Sequence, residues 1–213
     1  MMDAARDIDG EDRPRAGRPR DPSRDEAIFA ATLALLVEDG YAGVSIEGVA
    51  ARACVGKATI YRRYQSKAEL VVEALRFGAG LTDHLPDTGD VRADLGAMLG
   101  RLVDKLRSDA GPALLAFAAE RVRHPDLAAE FERSVVGAKR AHVRRLISGA
   151  IKRGELPRDV DVDLVAEAGP ALIWHHAQNR LPLTDDLAAR IVETVLPPAP
   201  KPDPARRRRR AST

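Results

Sequence analysis

Apolar residues near the start of the chain recur at helical spacing. Ser23-Arg24-Asp25-Glu26 forms a capping box, in which the Ser and Glu side chains satisfy free amides at a helix start. One face of this helix is predicted to carry Ile28, Ala31, Leu35 and Leu36. Gly40 supplies the left-handed residue that ends a helix, so the first helix is predicted to run over residues 23–39.

Two short helices are predicted next, followed by a longer one. Ser45 is an N-cap candidate for the first of them. The buried face of this helix is predicted to comprise Ile46, Val49, Ala50 and Ala53. Cys54-Val55-Gly56 interrupts the pattern, and a third helix is predicted over residues 57–64. Ser66-Lys67-Ala68-Glu69 is a second capping box, which opens a longer helix as far as about Gly78.

The apolar period remains helical up to residue 196. Helices are predicted around residues 95–102 and over 112–124 and 125–154, since a proline in the first turn loses no helical hydrogen bond. The last two are predicted over 161–179 and 185–196, and Pro170 predicts a kink or a break in the former. The segment 197–213 is proline-rich, then basic, and is predicted to be disordered.

The composition favours an all-α protein and excludes several other classes. Aromatic residues make up only 4% of the chain, while helix formers abound. Cys54 is the only cysteine, which excludes a disulfide framework, and we expect it to be buried in the structure. No apolar run reaches the roughly 18 residues of a membrane span and the N-terminus has no apolar signal-peptide core, so the expected location is cytoplasmic.

Positive charge is concentrated near the front of the chain. Residues 13–20 contain four arginines and no acid, and residues 41–80 carry six basic against three acidic groups. Residues 81–196 hold sixteen basic and eighteen acidic groups, and five further arginines stand at 206–210. This distribution is typical of a nucleic-acid-binding protein with a separate second domain, although the arginine run at the end is equally consistent with a solvated segment.

Two short helices joined by a tight turn, behind a longer supporting helix, form a helix-turn-helix arrangement whose second short helix enters the major groove of DNA. Lys57 and Ala58 are predicted to approach bases, and Tyr61 and Lys67 to contact phosphates. The arginines before the first helix are predicted either to enter the minor groove or to attract phosphates loosely. The predicted DNA-binding residues are Arg18, Arg20, Ser45, Lys57, Ala58, Thr59, Tyr61, Arg62, Tyr64 and Lys67.

The sequence resembles the TetR family of regulators in three segments: 17–20, 40–46 and 49–70. These cover a small part of the chain, but turn, recognition helix and following cap match in register. The resemblance implies a three-helix DNA-binding head, a helical ligand-binding body and a dimer built on the last two helices. Cys54, Gly56 and Ala58 stand where the family usually has glycine, serine and glycine, so we expect strain in the turn and an altered base readout.

We therefore expect an all-α chain with four parts: a basic arm at 1–21, a head at 22–66, a body at 67–196 and a tail at 197–213. The last two helices are predicted to pair with those of a second copy. The predicted dimer interface comprises Val165, Leu172, Ile173, Leu187, Ile191 and Val195.

The body is predicted to hold a cavity for a small, mostly apolar effector, although each wall residue is equally consistent with plain core. The predicted apolar wall comprises Met98, Leu102, Leu114, Phe117 and Trp174. Its predicted polar groups are Glu120, Arg121, His124 and His175. No metal site or cofactor is predicted, because His175 and His176 are neighbours on a helix and face different directions.

The function predicted from these features is that of a homodimeric repressor, released from its DNA operator by the effector. The alternative is an architectural DNA-binding protein without an effector, which a solid core in the body would favour. An α-helical enzyme is the third possibility, but the sequence contains no nucleophile–base pair, phosphate loop or metal constellation.

Overall fold

The computed structural model describes residues 22–81 and 85–198, and every regular element in these ranges is helical. Arg18, Arg20 and most of the proline-rich tail lie outside them. The helices are α1 (Pro22–Gly43), α2 (Ile46–Arg52), α3 (Lys57–Tyr61), α4 (Lys67–Glu73), α5 (Val91–Arg107), α6 (Gly111–Glu120), α7 (Pro125–Phe131), α8 (Gly137–Arg153), α9 (Val162–Gln178) and α10 (Leu187–Val195). Short π-helical turns, Ala74–Gly78 and Glu132–Val136, follow α4 and join α7 to α8.

The head consists of α1, α2 and α3, and its boundaries follow the capping residues. Helix α1 begins one residue before the predicted Ser23 and kinks at Gly40, whose φ of 67° is the positive value expected of a helix-ending glycine. The Ser45 side chain accepts a hydrogen bond from the amide of Gly48 at 3.0 Å, which confirms Ser45 as the N-cap of α2. Helix α3 is shorter than predicted, because the chain turns at residues 62–63.

Cys54 lies in the turn between α2 and α3 with a φ of 53°. A side chain in this left-handed region costs on the order of 1 kcal/mol, because its Cβ approaches the backbone carbonyl. The backbone of Cys54 is therefore strained, as expected for a residue that stands where the family usually has glycine. The prediction that Cys54 is buried is wrong, since its side chain is exposed.

Helix α4 connects the head to the body. Its N-cap is Ser66, which accepts from the amide of Glu69 at 3.0 Å, while the Glu69 carboxylate accepts from the amide of Gln65. Leu70, Val71 and Val72 are fully buried and belong to the same hydrophobic core as residues of both the head and the body. The two parts of the chain are thus packed together around α4.

The body is built from α5 to α10. Helix α10 packs on α5 and α9, and α5 also packs on α6 and α8. Gly154, with a φ of 82°, ends α8 as predicted. The predicted break at Pro170 does not occur, because α9 continues through this proline to Gln178.

Candidate functional site

The turn and α3 present one side to the head core and the other to solvent. Ile60 is fully buried, which fixes the rotation of this short helix. Lys57, Ala58, Tyr61 and Arg62 are exposed, and Thr59 is half-buried. Tyr61 shows 58% of its surface to solvent, a large exposure for an aromatic residue. The exposed residues of α3 and its C-cap therefore include two cations, a phenol and a small residue, which are groups that contact phosphates and bases in a major groove.

Several of the head's cations lie beside carboxylates, among them Lys57 and Arg52. Lys57 Nζ lies 3.3 Å from a carboxylate oxygen of Glu47, and both side chains are more than half exposed. Hydrogen bonding from its own backbone amide, followed by the Lys57 contact, lowers the pKa of Glu47. Arg52 forms two hydrogen bonds to Glu38, at 2.5 and 2.6 Å, which join α2 to α1. The exposed Lys57 pair can exchange its carboxylate for a phosphate, whereas the two-bonded Arg52 pair braces the head.

Besides Lys57, three more of the predicted DNA-binding residues contact residues of the head. Ser45 caps α2, as described above. Tyr64 is only 9% exposed and packs edge-on against Phe29, so burial argues for a packing role. Lys67 Nζ donates to the backbone carbonyl of Tyr41 at 2.9 Å and lies 4.2 Å above the Tyr41 ring.

Tyr41 itself joins the head to the body. Its ring is 2% exposed, and its hydroxyl donates to Oδ2 of Asp126 in the first turn of α7 at 2.9 Å. Burial and then the Asp126 hydrogen bond raise the pKa of Tyr41, so the phenol stays a donor. The same bond lowers the pKa of Asp126, which stays an ionised acceptor.

The body contains a cavity of about 330 Å³, bounded by residues of α5 to α10 and the segments around them. Five of the nine predicted effector-site residues are on its wall: Met98, Leu102, Phe117, Arg121 and Trp174. The other four are not. Leu114 is buried in the core, His175 is exposed, and Glu120 pairs with His124 at 3.2 Å beside the head.

Three further cations line the cavity: Arg101, Lys139 and Arg140. The sequence prediction missed them, although Lys139 and Arg140 are spaced to share a helix face with Val136 and Val143, which also line it. Arg140 is paired with Glu132 and lies 3.8 Å from Glu167. With Arg121 included, the wall carries four basic residues against one acid, Glu167.

The single chain already buries three of the six residues predicted for the dimer interface. Ile173, Leu187 and Ile191 are at most 5% exposed within it, because α10 packs on α5 and α9. Val165, Ile191 and Val195 also line the cavity. Of the six predicted residues only Leu172, at 39% exposure, is both apolar and strongly exposed. Leu164, at 63% exposure, lies two turns before it on α9 and was not predicted.

In residues 22–81 and 85–198 no three His, Cys, Asp or Glu side chains are grouped so that they could hold a metal ion. Within the same ranges, no helix combines the length and apolar character needed to cross a membrane.

A three-helix head with an exposed recognition helix, packed on a helical body, defines a helix-turn-helix DNA-binding regulator. Residues 28–74 match the family model for bacterial regulatory proteins of the tetR family, and residues 85–195 match that for the tetracyclin repressor-like C-terminal domain. The chain belongs to the TetR family of transcription regulators, which are not enzymes.

Individual proteins give the same result. The DNA-binding transcriptional repressor TetR of Mycobacteroides abscessus is 35% identical over 188 residues, covering 83% of this chain and 94% of that protein. The TetR family regulator SCO0332 has a similar structure, with a TM-score of 0.60 and 28% identity over 82% of this chain and 97% of that one. FadR of Bacillus subtilis, solved in complex with stearoyl-CoA, has a TM-score of 0.66 at 15% identity, covers 80% of this chain and 96% of its own, and is similar in fold alone.

Proposed function

We propose that this regulator is a homodimeric repressor that leaves its operator when a small molecule fills the body cavity. The observation that carries the proposal is the cavity of about 330 Å³, which lies in the body and has no residue of α1, α2 or α3 on its wall. Its volume lies at the lower end of the range of about 300–1,000 Å³ found for small-molecule sites. A cavity of this size in the body supports an effector site over the alternative of an architectural protein without an effector.

The lining indicates the chemistry of the effector. Most of the wall is apolar, and its charged groups are mainly cationic, with Arg101, Lys139 and Arg140 half-buried. A positive field inside a partly desolvated site favours an anion over a cation of the same size. The proposed effector is therefore an apolar molecule with one anionic end. The stearoyl-CoA bound to the similarly folded FadR is a ligand of this class.

The proposed dimer uses the outer face of α9. Leu164 and Leu172 are exposed on this helix although both are large and apolar. Two such faces cover each other when a second copy packs against the first through a twofold axis. The dimer places two α3 helices on successive major grooves, about 34–36 Å apart, and a change in the distance between heads breaks this match.

A binding experiment tests the proposal. An operator is first selected from random DNA with the full-length protein, and its affinity is then measured by fluorescence anisotropy. Decanoyl-CoA, decanoate and decylamine are added in separate titrations. We expect release by one or both anions and none by the amine. Release by the amine alone would refute the anionic class, and a retained complex with every compound would refute effector control by this chemistry.

A further inference from the structure

Tyr41 is one of the residues through which head and body are in contact. The side chain follows the kink of α1 at Gly40 and points into the junction between the two parts. Its hydroxyl bonds to Asp126 in the body, while its carbonyl and ring contact Lys67 at the start of α4. Lys67 comes just after the turn that ends α3. A single buried side chain thus touches both α7 and the segment behind the recognition helix.

The body side of this junction is the turn between α6 and α7. The His124 ring lies 4.7 Å from the Tyr41 ring, and His124 also pairs with Glu120. A Cβ atom at Gly40 would lie 3.1 Å from a carboxylate oxygen of Glu120, so α6 approaches the kink closely. Residues 120–126 therefore pack against the end of α1 over several contacts.

The same two helices form part of the cavity wall. Phe117 of α6 and Phe131 of α7 line the cavity, with ring centroids 4.5 Å apart. Phe117 lies one turn before Glu120, and Phe131 one to two turns after Asp126. A molecule that moves either ring displaces the helix that also carries a head contact, because a packed core transmits such shifts.

We propose that the Tyr41–Asp126 hydrogen bond is the link through which cavity occupancy acts on the recognition helix. Tyr41 is a positioning residue here, since it is only 2% exposed and is not part of the cavity wall. Filling the cavity moves α7, the bond to Asp126 changes, and the Tyr41 contact with Lys67 shifts the start of α4 and the end of α3. This inference rests on the proposed effector function, and linkage requires that operator binding alter effector affinity by the same factor.

A double-mutant cycle tests this link without the natural effector. Val143 lines the cavity on α8 and is 8% exposed, so Val143→Phe fills part of the space. Operator affinity is measured by anisotropy for the full-length protein, Val143→Phe, Tyr41→Phe and the double variant. We expect Val143→Phe to weaken operator binding about fivefold in the parent. After Tyr41→Phe, the same cavity substitution should change the affinity less than about twofold.

Matched variants separate coupling from stability. Asp126→Ala should reproduce the effect of Tyr41→Phe and add nothing to it, because both remove one bond. Asp126→Asn keeps an oxygen acceptor and should retain most of the coupling. Thr32→Val removes another buried hydroxyl of the head, one that bonds to the Ile28 carbonyl within α1, and should leave the fivefold ratio intact. Thermal unfolding of each variant confirms that the comparison uses folded protein.

The outcomes are distinguishable. An equal effect of Val143→Phe with and without the Tyr41 hydroxyl would overturn the link while leaving the proposed effector function standing. Ala166→Leu fills the cavity from α9 and serves as a second probe, since Ala166 also lines it. If neither cavity substitution changed operator affinity in the parent, cavity and head would be uncoupled, and both the effector function and this link would fall.

Discussion

Lys57 and Lys67 differ in what their ammonium groups contact. Lys57 begins the recognition helix, and its ammonium lies 3.3 Å from the exposed carboxylate of Glu47. Lys67 is half-buried and already donates to the Tyr41 carbonyl. The sequence predicts a phosphate contact for Lys67, and in the structure its ammonium joins the start of α4 to the end of α1.

Lys67→Ala is expected to weaken binding to all DNA sequences alike and to flatten the salt dependence of affinity by about one unit. The lost hydrogen bond from a charged donor should also lower the free energy of unfolding by about 1.5 kcal/mol. Anisotropy at several salt concentrations and chemical denaturation measure the two effects. A relaxed base preference would show that Lys67 contacts bases. An unchanged salt dependence of the affinity would contradict a phosphate contact and leave Lys67 with a structural role alone.

The Glu38–Arg52 pair predicts a pH effect on the head. The hydrogen bond from Arg52 lowers the pKa of Glu38 in the folded chain, so this stabilisation is present above the pKa of the unfolded chain and is lost as the pH falls through the folded pKa. Glu38→Gln should therefore lower the melting temperature near neutral pH, by an amount that shrinks as the pH falls below about 4. A difference in Tm that stayed constant across that range would contradict an ionic role for the pair.

At the scale of elements, the residues that cap the helices could be predicted from the sequence. The partner against which each apolar helix face packs could not. Ser45, Ser66 and Gly154 stand where the sequence places them, because a cap is a local hydrogen-bonding requirement. Leu187 and Ile191 were predicted to contact a second subunit, and in the single chain they are at most 5% exposed. An apolar stripe in the sequence predicts that one face of a helix is buried. It does not identify the helix that packs against this face, because the packing partner depends on the tertiary structure.

Helix α6 carries the most direct test of the cavity. Phe117 is 1% exposed on the cavity wall, so Phe117→Trp should occupy part of the empty space. We expect operator binding to persist and effector-driven release to be blunted. In a fully packed core the same change would cost about 1–3 kcal/mol. Thermal unfolding and operator affinity, measured together, distinguish a cavity wall from a packed core at this position. A strongly destabilised variant with an unchanged effector response would identify Phe117 as a core residue.

Helix α9 carries the test of the dimer. Leu164→Asp with Leu172→Asp places two charges on the proposed interface and should yield a folded monomer with much weaker operator binding. Val122→Asp is the control, because Val122 is also apolar and exposed, at 81%, but lies in the turn after α6 and not on α9. Sedimentation velocity gives the mass of each variant. An intact dimer with both leucines replaced would remove this face of α9 from the interface.

The whole molecule sets the spacing of its DNA sites. A twofold dimer with one recognition helix per subunit requires two half-sites related by inverted symmetry, about one helical turn apart. Inserting about 5 base pairs between the half-sites turns one of them to the opposite side of the duplex and should abolish cooperative binding. Footprinting on the parent and lengthened operators measures this, and equal protection of both would contradict simultaneous contact by two heads.

The turn that strains Cys54 also offers a way to observe the heads directly. Cys54 is the only cysteine of the chain, and its side chain is exposed beside the recognition helix. A nitroxide attached to this thiol would place one paramagnetic centre on each head of a dimer, with no other labelling site to confuse the signal. Pulsed dipolar spectroscopy of the unmutated sequence would then read the head-to-head distance as a ruler, with and without a molecule in the cavity.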